Sequence, residues 1–267
     1  MKRLQTAAWV ILLLVAALAV LAPVVAPAGY ATQFREAPNA PPSRQHWLGT
    51  DDLGRDRLSR TLYGTRVSLL LAPLAALLST VIAALVGGIA GYRGGRWQSL
   101  AMAATDLFLS LPWLFLLILA RAVLPLNVSP LVSVAVTFGL LGVLGWASSA
   151  RVLCAGAASL RHSDFVLQAR ASGVQGWRLL SRHVLPNLKP VLLAQFWISI
   201  PVFILSEANL GILGLGVAEP LPSWGSLLRE LEGLDGFSQV WKLVPLLLLI
   251  LVVTSFQMIL STDEVTP

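Results

Sequence analysis

Six long apolar stretches alternate with polar segments along this chain of 267 residues. A helix needs about 20 residues to cross the roughly 30 Å apolar core of a bilayer, and each stretch is close to that length. The pattern therefore predicts an all-α, polytopic membrane protein with about six transmembrane helices. The predicted spans cover approximately residues 7–26, 67–92, 100–119, 130–150, 191–216 and 243–260.

The first stretch has two interpretations. Lys2 and Arg3 precede an apolar run that ends in small residues and proline, which is also typical of a secretory signal peptide. The run is longer than a usual signal core, and five further spans follow it. We therefore expect a retained first helix.

The third predicted span contains a charge, Asp106. A carboxylate at the centre of a span costs about 2.5–3.5 kcal/mol on insertion scales, so it usually faces protein or water. Two interpretations remain open for Asp106. It forms a structural ion pair or hydrogen bond with a neighbouring helix, or it lines the substrate path.

The fifth predicted span contains Pro201 and Glu207, and we expect the helix to be broken at the proline. Glu207 and Asn209 lie beside several glycines, which permit close helix approach. One interpretation is tight packing alone. The other gives Glu207 a role at a gate or subunit interface, with Asp106 holding span three to it.

Composition supports the membrane assignment. Hydrophobic residues make up 56% of the chain and charged residues 12%, against about 25% charged in soluble domains. These values exclude a soluble single domain and a disordered chain. The single cysteine, Cys154, excludes a disulfide scaffold. The net charge of +6 fits the lysine and arginine excess of cytoplasmic loops, and no nucleic-acid-binding signature accompanies it.

The loops indicate an orientation with both termini in the cytoplasm. Lysines and arginines then divide almost evenly between the two sides, and Arg121 counts among the outer ones. Six of the outer charges lie in one long loop, residues 29–66, and long loops carry less weight. The short link from Arg93 to Arg96 and the basic loop after span four, residues 151–190, both favour the inside.

That basic loop has an internal pattern of its own. It predicts a short helix, a stop at Gly173, a second short helix, and an end at Pro186 before the next span. Basic residues and helically spaced apolar residues make it amphipathic. These residues alone leave two modes open, docking onto a soluble partner and lying flat on anionic lipid. The basic residues are Arg170, Arg178 and Arg182, and the apolar ones are Val174, Trp177, Leu180, Val184 and Leu185.

No catalytic, cofactor-binding or metal-binding residue is predicted. The chain lacks a phosphate-binding Gly-x-x-x-x-Gly-Lys-Ser/Thr loop and a His-Glu-x-x-His pair. Its three histidines, His46, His162 and His183, have no metal-ligand spacing. ATP phosphates are therefore not bound by this chain in the usual way.

A mixed-charge cluster precedes the second span. Residues 50–52 read Thr-Asp-Asp and residues 54–56 read Gly-Arg-Asp. We expect a capped, salt-bridged structure outside the membrane, in which Thr50 or Asp51 caps a helix that runs toward Arg60. A contact with an external binding protein is the less favoured alternative.

The basic loop resembles the EAA loop of binding-protein-dependent ABC importer permeases. That pattern has Glu-Ala-Ala, then glycine, and further on Leu-Pro. Ala169, Gly173, Leu185 and Pro186 match it in register, whereas Leu167 stands at the glutamate position and Gln168 at the first alanine. In that family the loop forms a coupling helix in a groove of the cytoplasmic ATPase. The resemblance thus implies an ATPase-docking role for residues 167–186.

Other blocks resemble the C-type subunit of dipeptide, oligopeptide and nickel permeases. The resemblance covers about residues 46–228 and implies the type I ABC importer permease fold. It also implies an N-terminal helix and extracytoplasmic loop over residues 1–66 and a transmembrane domain over residues 67–267. The C-terminal segment 256–267 departs from the family's usual Asn-Leu-x-Gly-Asp ending. The matching blocks are residues 46–60, 63–68, 91–95, 106–112, 207–216 and 222–225.

The resemblance implies a non-catalytic permease subunit of the bacterial inner membrane, which moves peptides or similar small solutes. The implied partners are a second homologous permease, two cytoplasmic ATPase subunits, an extracytoplasmic solute-binding protein and membrane lipid. Nickel chelates and opines are alternative solutes. A membrane-embedded enzyme is a rival function, but no histidine lies in a predicted span. A passive channel is another, which would conduct without ATP.

Overall fold

The computed structural model describes residues 2–125, 128–232 and 239–263, and within these ranges helices dominate and no β-strand is present apart from two isolated bridges. The α-helices are α1 Lys2–Val25, α2 Arg57–Ala83, α3 Ile89–Arg93, α4 Gly95–Leu109, α5 Trp113–Val123, α6 Pro130–Leu144, α7 Ala147–Arg161, α8 Asp164–Ala171, α9 Gly176–Leu179, α10 Leu185–Ile212, α11 Trp224–Arg229 and α12 Val244–Asp263. Two π-helical turns, Ala84–Gly88 and Leu180–Val184, join α2 to α3 and α9 to α10. Short 3-10 turns cover Glu230–Glu232 and Val240–Leu243.

Five helical segments of the described ranges are long and apolar enough to cross a membrane, and one bent pair of helices adds a sixth. The predicted set of about six spans is confirmed. The segments extend beyond several predicted boundaries, because polar residues continue a helix past the apolar core. The five are Arg3–Val25, Arg57–Arg93, Pro130–Arg161, Gly176–Ile212 and Val240–Ser261.

The third span is not one straight helix. It consists of α4 and α5, which meet at an angle of 76°. The break falls at residues 110–112, where Pro112 has no N–H to continue the helical ladder. The residue before a proline is also biased away from helical geometry. A single continuous span over residues 100–119 is therefore wrong.

The fifth span shows the opposite behaviour. Helix α10 runs without interruption from Leu185 to Ile212, and Pro201 lies inside it. The predicted break at Pro201 is wrong, because the flanking helical hydrogen bonds hold despite the missing donor. The helix ends before Gly214, whose positive φ of 75° stops it.

The basic loop is also shorter than predicted. Helix α7 continues through Arg151 to Arg161, so the loop does not open at Arg151. The residues after Arg151 are mainly alanine, leucine and other helix formers, and one charge does not end a helix. Pro186 does not end the second loop helix either. It lies in the first turn of α10, after the π-helical turn Leu180–Val184.

The chain divides into two compact units. Unit 1 comprises Met1–Pro73, Ala120–Phe138 and Pro201–Pro267, and within it α1 packs against α12. Ala8, Ala19 and Ala22 are fully buried on α1, and their spacing places them on one face. The domain boundary expected between residues 66 and 67 stays a prediction.

Unit 2 comprises Leu74–Leu119 and Gly139–Ile200, and α7 packs closely on α3 and on the preceding π-helical turn. Glycine permits this approach. A Cβ at Gly87 would lie 2.7 Å from the carbonyl carbon of Ala150, and a Cβ at Gly91 would lie 3.0 Å from that of Cys154. The core beside this contact consists of Ala83, Ala150, Leu153, Ala157 and Leu188.

Candidate functional site

The loop between α7 and α10 begins with a short helix that stops at glycine. Helix α8 ends at Ala171, and Gly173 follows with a φ of 84°. The Gly173 N–H donates to the Arg170 carbonyl and the Val174 N–H to the Ala169 carbonyl, both at 3.0 Å. This pair of bonds is the Schellman motif, which satisfies the last carbonyls of a helix. The predicted stop at Gly173 is confirmed.

A small apolar core holds the loop together. Ala169, Val166, Leu179 and Val184 pack into one buried cluster, which ties α8 to α9 and to the π-helical turn after it. The Tyr92 hydroxyl at the end of α3 donates to the carbonyl of Gly176 at 3.3 Å. The loop is therefore fixed to unit 2 through its inner face.

The outer face of the loop carries large apolar side chains that the chain itself does not cover. Trp177 is 71% exposed and Leu167 is 47% exposed, and Phe165 is similarly uncovered. Arg178 and Arg182 are exposed beside them. We call Phe165, Leu167, Trp177 and Arg178 the outer loop surface. Of the motif residues, Ala169 lies in the core, Leu185 is half-buried, and Pro186 is exposed at the start of α10.

Glu207 occupies the centre of a hydrogen-bonded cluster in unit 1. Its side chain is fully buried, and the Ser68 hydroxyl donates to its Oε2 at 2.8 Å. The Ser68 oxygen accepts the backbone N–H of Trp224 at 3.0 Å, and the Trp224 indole donates to the Thr65 hydroxyl. Glu207 thus links α10, α2 and α11. This supports a structural role, and a role at a gate or subunit interface stays a prediction.

Close backbone packing accompanies this cluster. A Cβ at Gly225 would lie 2.7 Å from the Cα of Gly211, so α11 rests directly on α10. These glycines therefore do permit a close helix approach, and whether Glu207 has a further role beside them stays a prediction. Asn209 is exposed on α10 and takes no part in the Glu207 cluster.

Asp106 forms an ion pair with Arg151 of α7. Both side chains are about half exposed, with 49% and 59% of their surfaces accessible. Asp106 thus has an ion-pair partner on a neighbouring helix, and Arg151 lies in α7 rather than in the loop. A place for Asp106 on the substrate path stays a prediction. Asp106 lies in unit 2 and Glu207 in unit 1, and the expected tie between them stays a prediction.

The mixed-charge cluster before α2 is salt-bridged, as predicted, and it also binds a carboxylate far along the chain. Asp51 accepts from Arg55 at 2.6 Å and lies 3.4 Å from Arg60. Both arginines also bind Glu219, Arg55 at 2.5 Å and Arg60 at 3.0 Å. A sequence separation of 159–164 residues left no local signal for Glu219.

The helix cap differs from the prediction. Asp56 caps α2 by accepting the backbone N–H of Ser59 at 2.7 Å, since it immediately precedes the first helical residue. Thr50 and Asp51 do not cap this helix. Asp51 instead closes a turn by accepting the N–H groups of Leu53 and Arg55.

The pKa values of two glutamates bound to these arginines are shifted in opposite directions, because burial and the arginine charges compete. Partial burial disfavours the ionised form of Glu219, but Arg60 and Arg55 outweigh burial and hold its pKa below the usual value. Burial raises the pKa of Glu230, and its ion pair with Arg57 at 2.5 Å offsets that effect only in part. Glu219 thus favours the folded state most when it is ionised.

Arg121 is the functional candidate that sequence analysis missed. Its position in the sequence predicts an outer loop charge, but it lies in α5 and is 1% exposed. A charge at the end of an apolar run gives no signal of its burial. Among the described residues, no group of three or more His, Cys, Asp or Glu side chains is placed to hold a metal ion.

These helices and spans define an all-α, polytopic membrane protein with an amphipathic loop between two spans. Residues 83–263 match the family model described as binding-protein-dependent transport system inner membrane component. The match covers more than half of the chain, so the chain belongs to this family. It is a multi-pass inner-membrane permease subunit of the ABC importer class, and it works in a complex with other subunits. The resemblance drawn from residues 46–228 is confirmed.

Curated relatives match most of the chain. It is 34% identical over 229 residues to the dipeptide transport system permease protein DppC of Bacillus subtilis, covering 86% of this chain and 70% of that protein. The oligopeptide transport system permease protein OppC of the same organism is also 34% identical over 229 residues, with 86% and 73% covered. A putative peptide permease protein of Brucella suis is 39% identical over 210 residues, with 77% and 67% covered.

Proposed function

We propose that this permease carries peptides or similar small solutes through a pathway that it shares with a second, homologous permease. The observation that carries the proposal is its similarity to dipeptide and oligopeptide permeases over 86% of its length. Nickel chelates and opines, which similar permeases carry, are the alternative solutes.

The outer loop surface is proposed to dock onto a cytoplasmic ATPase subunit. Its exposed side chains combine a tryptophan, two further large apolar groups and an arginine. Tryptophan and arginine are enriched among the residues that dominate binding at protein interfaces. A helix lying on anionic lipid would use the same surface, and this is the competing outcome in the experiment below.

The path from the loop to the membrane is short and helical. The helix that begins at Gly176 continues through the π-helical turn into α10 without a stop. The buried contacts of Ala169 with Leu179 and Val184 join α8 to this helix. A displacement of the loop by the ATPases would therefore move the start of α10 with it, and this is the proposed route of coupling.

The remaining partners follow from the family. Two ATPase subunits would hydrolyse ATP, and an extracytoplasmic binding protein would deliver the solute. In this arrangement the amino and carboxyl termini and the loop are cytoplasmic. Residues 264–267, the end of the chain, lie outside the described residues. The burial of α1 against α12 supports a retained first helix.

The test is co-purification from the native host of tagged wild-type chain and two tryptophan variants. Trp177→Ala removes a 71% exposed side chain from the outer loop surface, and Trp47→Ala removes a 69% exposed one from the N-terminal loop. We expect ATPases and a second permease with the wild type and with Trp47→Ala. With Trp177→Ala we expect about tenfold less ATPase, the scale of losing an interface hot spot.

A third variant, Gly173→Pro, disrupts the Schellman motif and should lose the ATPases as well. Membrane insertion of each variant is checked by its yield in the membrane fraction. If the Trp177→Ala and Gly173→Pro chains retain the ATPases, the loop is not the docking element. If no ATPase accompanies the wild type under conditions that preserve a known importer complex, the proposed assembly is wrong.

A further inference from the structure

Arg121 is a buried cation without an acidic partner among the described residues. Its Nη2 donates to the Ser133 hydroxyl at 3.1 Å and to the Gly216 carbonyl at 3.4 Å, and its Nη1 donates to the Pro125 carbonyl at 3.3 Å. Its Nε has no hydrogen-bond partner. No described carboxylate lies within ion-pair distance of the guanidinium. A charge buried in this way is costly unless an anion compensates it.

The neutral acceptors around Arg121 are weak substitutes for an anion. Their distances of 3.1–3.4 Å are longer than the roughly 2.7–2.9 Å of a charge-assisted hydrogen bond between nitrogen and oxygen. The planar guanidinium presents paired N–H groups that match the two oxygens of a carboxylate. Exchange of these acceptors for a carboxylate would therefore be favourable.

A cavity of about 150 Å³ adjoins Arg121 within unit 1. Bulk water occupies about 30 Å³ per molecule, so the cavity has room for a group of a few heavy atoms. The remaining wall comes from the glycine-rich turn after α10 and from α11. Its other charged lining residues are Arg229 and Glu219.

The other two charged residues that line the cavity do not neutralise Arg121. Arg229 adds a second guanidinium, which lies against Gly214 at a distance of 2.9 Å from the position that a Cβ would take. Glu219 is already bound by Arg55 and Arg60. The cavity thus retains an excess of positive charge beside a buried, incompletely bonded arginine.

We propose that this cavity binds a small carboxylate, whose oxygens pair with the guanidinium of Arg121. The proposal does not depend on the transported solute. A free carboxylate such as acetate and the terminal carboxylate of a short peptide share the chemistry that Arg121 recognises, and the experiment separates these two sources.

The test follows thermal unfolding of the full chain, purified in detergent, by intrinsic tryptophan fluorescence. Acetate is titrated at constant ionic strength against chloride, with acetamide as the uncharged isostere. We expect acetate to raise the unfolding temperature with saturation and acetamide to leave it unchanged. Dialanine and its C-terminal amide form a second pair. If dialanine raises the unfolding temperature more than acetate does, and its C-terminal amide leaves that temperature unchanged, the source of the carboxylate is a peptide.

Three variants test whether acetate binds at Arg121. Arg121→Gln should weaken acetate binding by about tenfold or more, as expected when a charge-assisted partner is removed. Arg121→Lys keeps the charge but loses the planar pair of donors, so it should retain part of the effect. Arg151→Gln changes an exposed, ion-paired arginine of unit 2 and should bind acetate as the wild type does.

Without acetate, Arg121→Gln should unfold at the wild-type temperature or higher, because an uncompensated buried charge has been removed. The proposal is overturned if acetate stabilises Arg121→Gln as much as the wild type. Equal stabilisation by acetamide and acetate also overturns it. If Arg121→Gln does not fold, the comparison of Arg121→Lys with Arg151→Gln decides, and equal acetate affinity in those two variants overturns the proposal.

Discussion

Two adjacent glycines in the π-helical turn of unit 2 give a sharp test of the packing between α7 and its neighbours. A Cβ at Gly87 would lie 2.7 Å from the carbonyl carbon and 2.8 Å from the Cα of Ala150. Optimal carbon–carbon separations are about 3.5–4.0 Å, so the two elements would have to separate by roughly 1 Å. A Cβ at Gly88 would meet only the side chain of Leu188, at 3.8 Å.

The two substitutions should therefore have different effects on the free energy of unfolding. Gly87→Ala is expected to destabilise the chain by about 1–3 kcal/mol, the usual cost of overpacking a close contact. Gly88→Ala should be neutral or stabilising by up to about 1 kcal/mol, because alanine loses less backbone freedom than glycine in a helix. Both changes add one methyl group to the same turn, so each controls for the other.

The assay is thermal unfolding of the two variants and the wild type in one detergent, followed by uptake measured in whole cells. Gly87→Ala should show a lower unfolding temperature and reduced uptake, because α7 leads directly into the loop that is proposed to dock onto the ATPase. Equal unfolding temperatures for Gly87→Ala and Gly88→Ala would refute the close contact between this turn and α7.

Further predictions concern the loop, the buried cluster and the two ion-paired sites. Gly173→Ala forces a side chain into a positive φ and should destabilise the loop by about 1 kcal/mol, measured as faster hydrogen exchange in α8. Glu207→Gln keeps the volume but weakens the bond from Ser68, so it should cost about 1 kcal/mol in unfolding free energy. Asp106→Asn breaks an exposed pair and should change that free energy by less than about 1 kcal/mol. If both this variant and Glu207→Gln leave uptake and assembly unchanged, neither carboxylate has the proposed functional role. Because the pKa of Glu219 is lowered in the folded chain, its ionised form adds to the unfolding free energy above its usual pKa, and this contribution is lost as the pH falls through the lowered value. Glu219→Gln should therefore make the unfolding free energy fall less steeply at acid pH.

Apolar length alone predicted the number of spans, because the bilayer sets that length. It did not predict which proline breaks a helix. Pro112 separates α4 from α5, whereas Pro201 is accommodated inside α10. Both prolines lack the same N–H donor, so the missing donor alone does not decide whether a helix breaks.

The loop motif was the best-predicted part of the candidate site, because a positive φ at Gly173 follows from local helix-ending chemistry. The partners of buried charges could not be predicted in this way. Ser68 and Glu207 are 139 residues apart, and Arg60 and Glu219 are 159 apart. Such long-range pairs depend on how the helices pack against one another. The sequence pattern predicts the helices but not their packing.

The proposed function is a solute pathway that ATPases docked on the loop drive. The most direct measurement is uptake of a labelled dipeptide by proteoliposomes that contain the co-purified complex and its binding protein, with ATP on the cytoplasmic side. We predict uptake that requires both ATP and the binding protein. Trp177→Ala should lower this ATP-dependent uptake by about tenfold, and Trp47→Ala should leave it at the wild-type level. Dipeptide flux of equal size with and without ATP would contradict ATP-driven transport and indicate a passive channel.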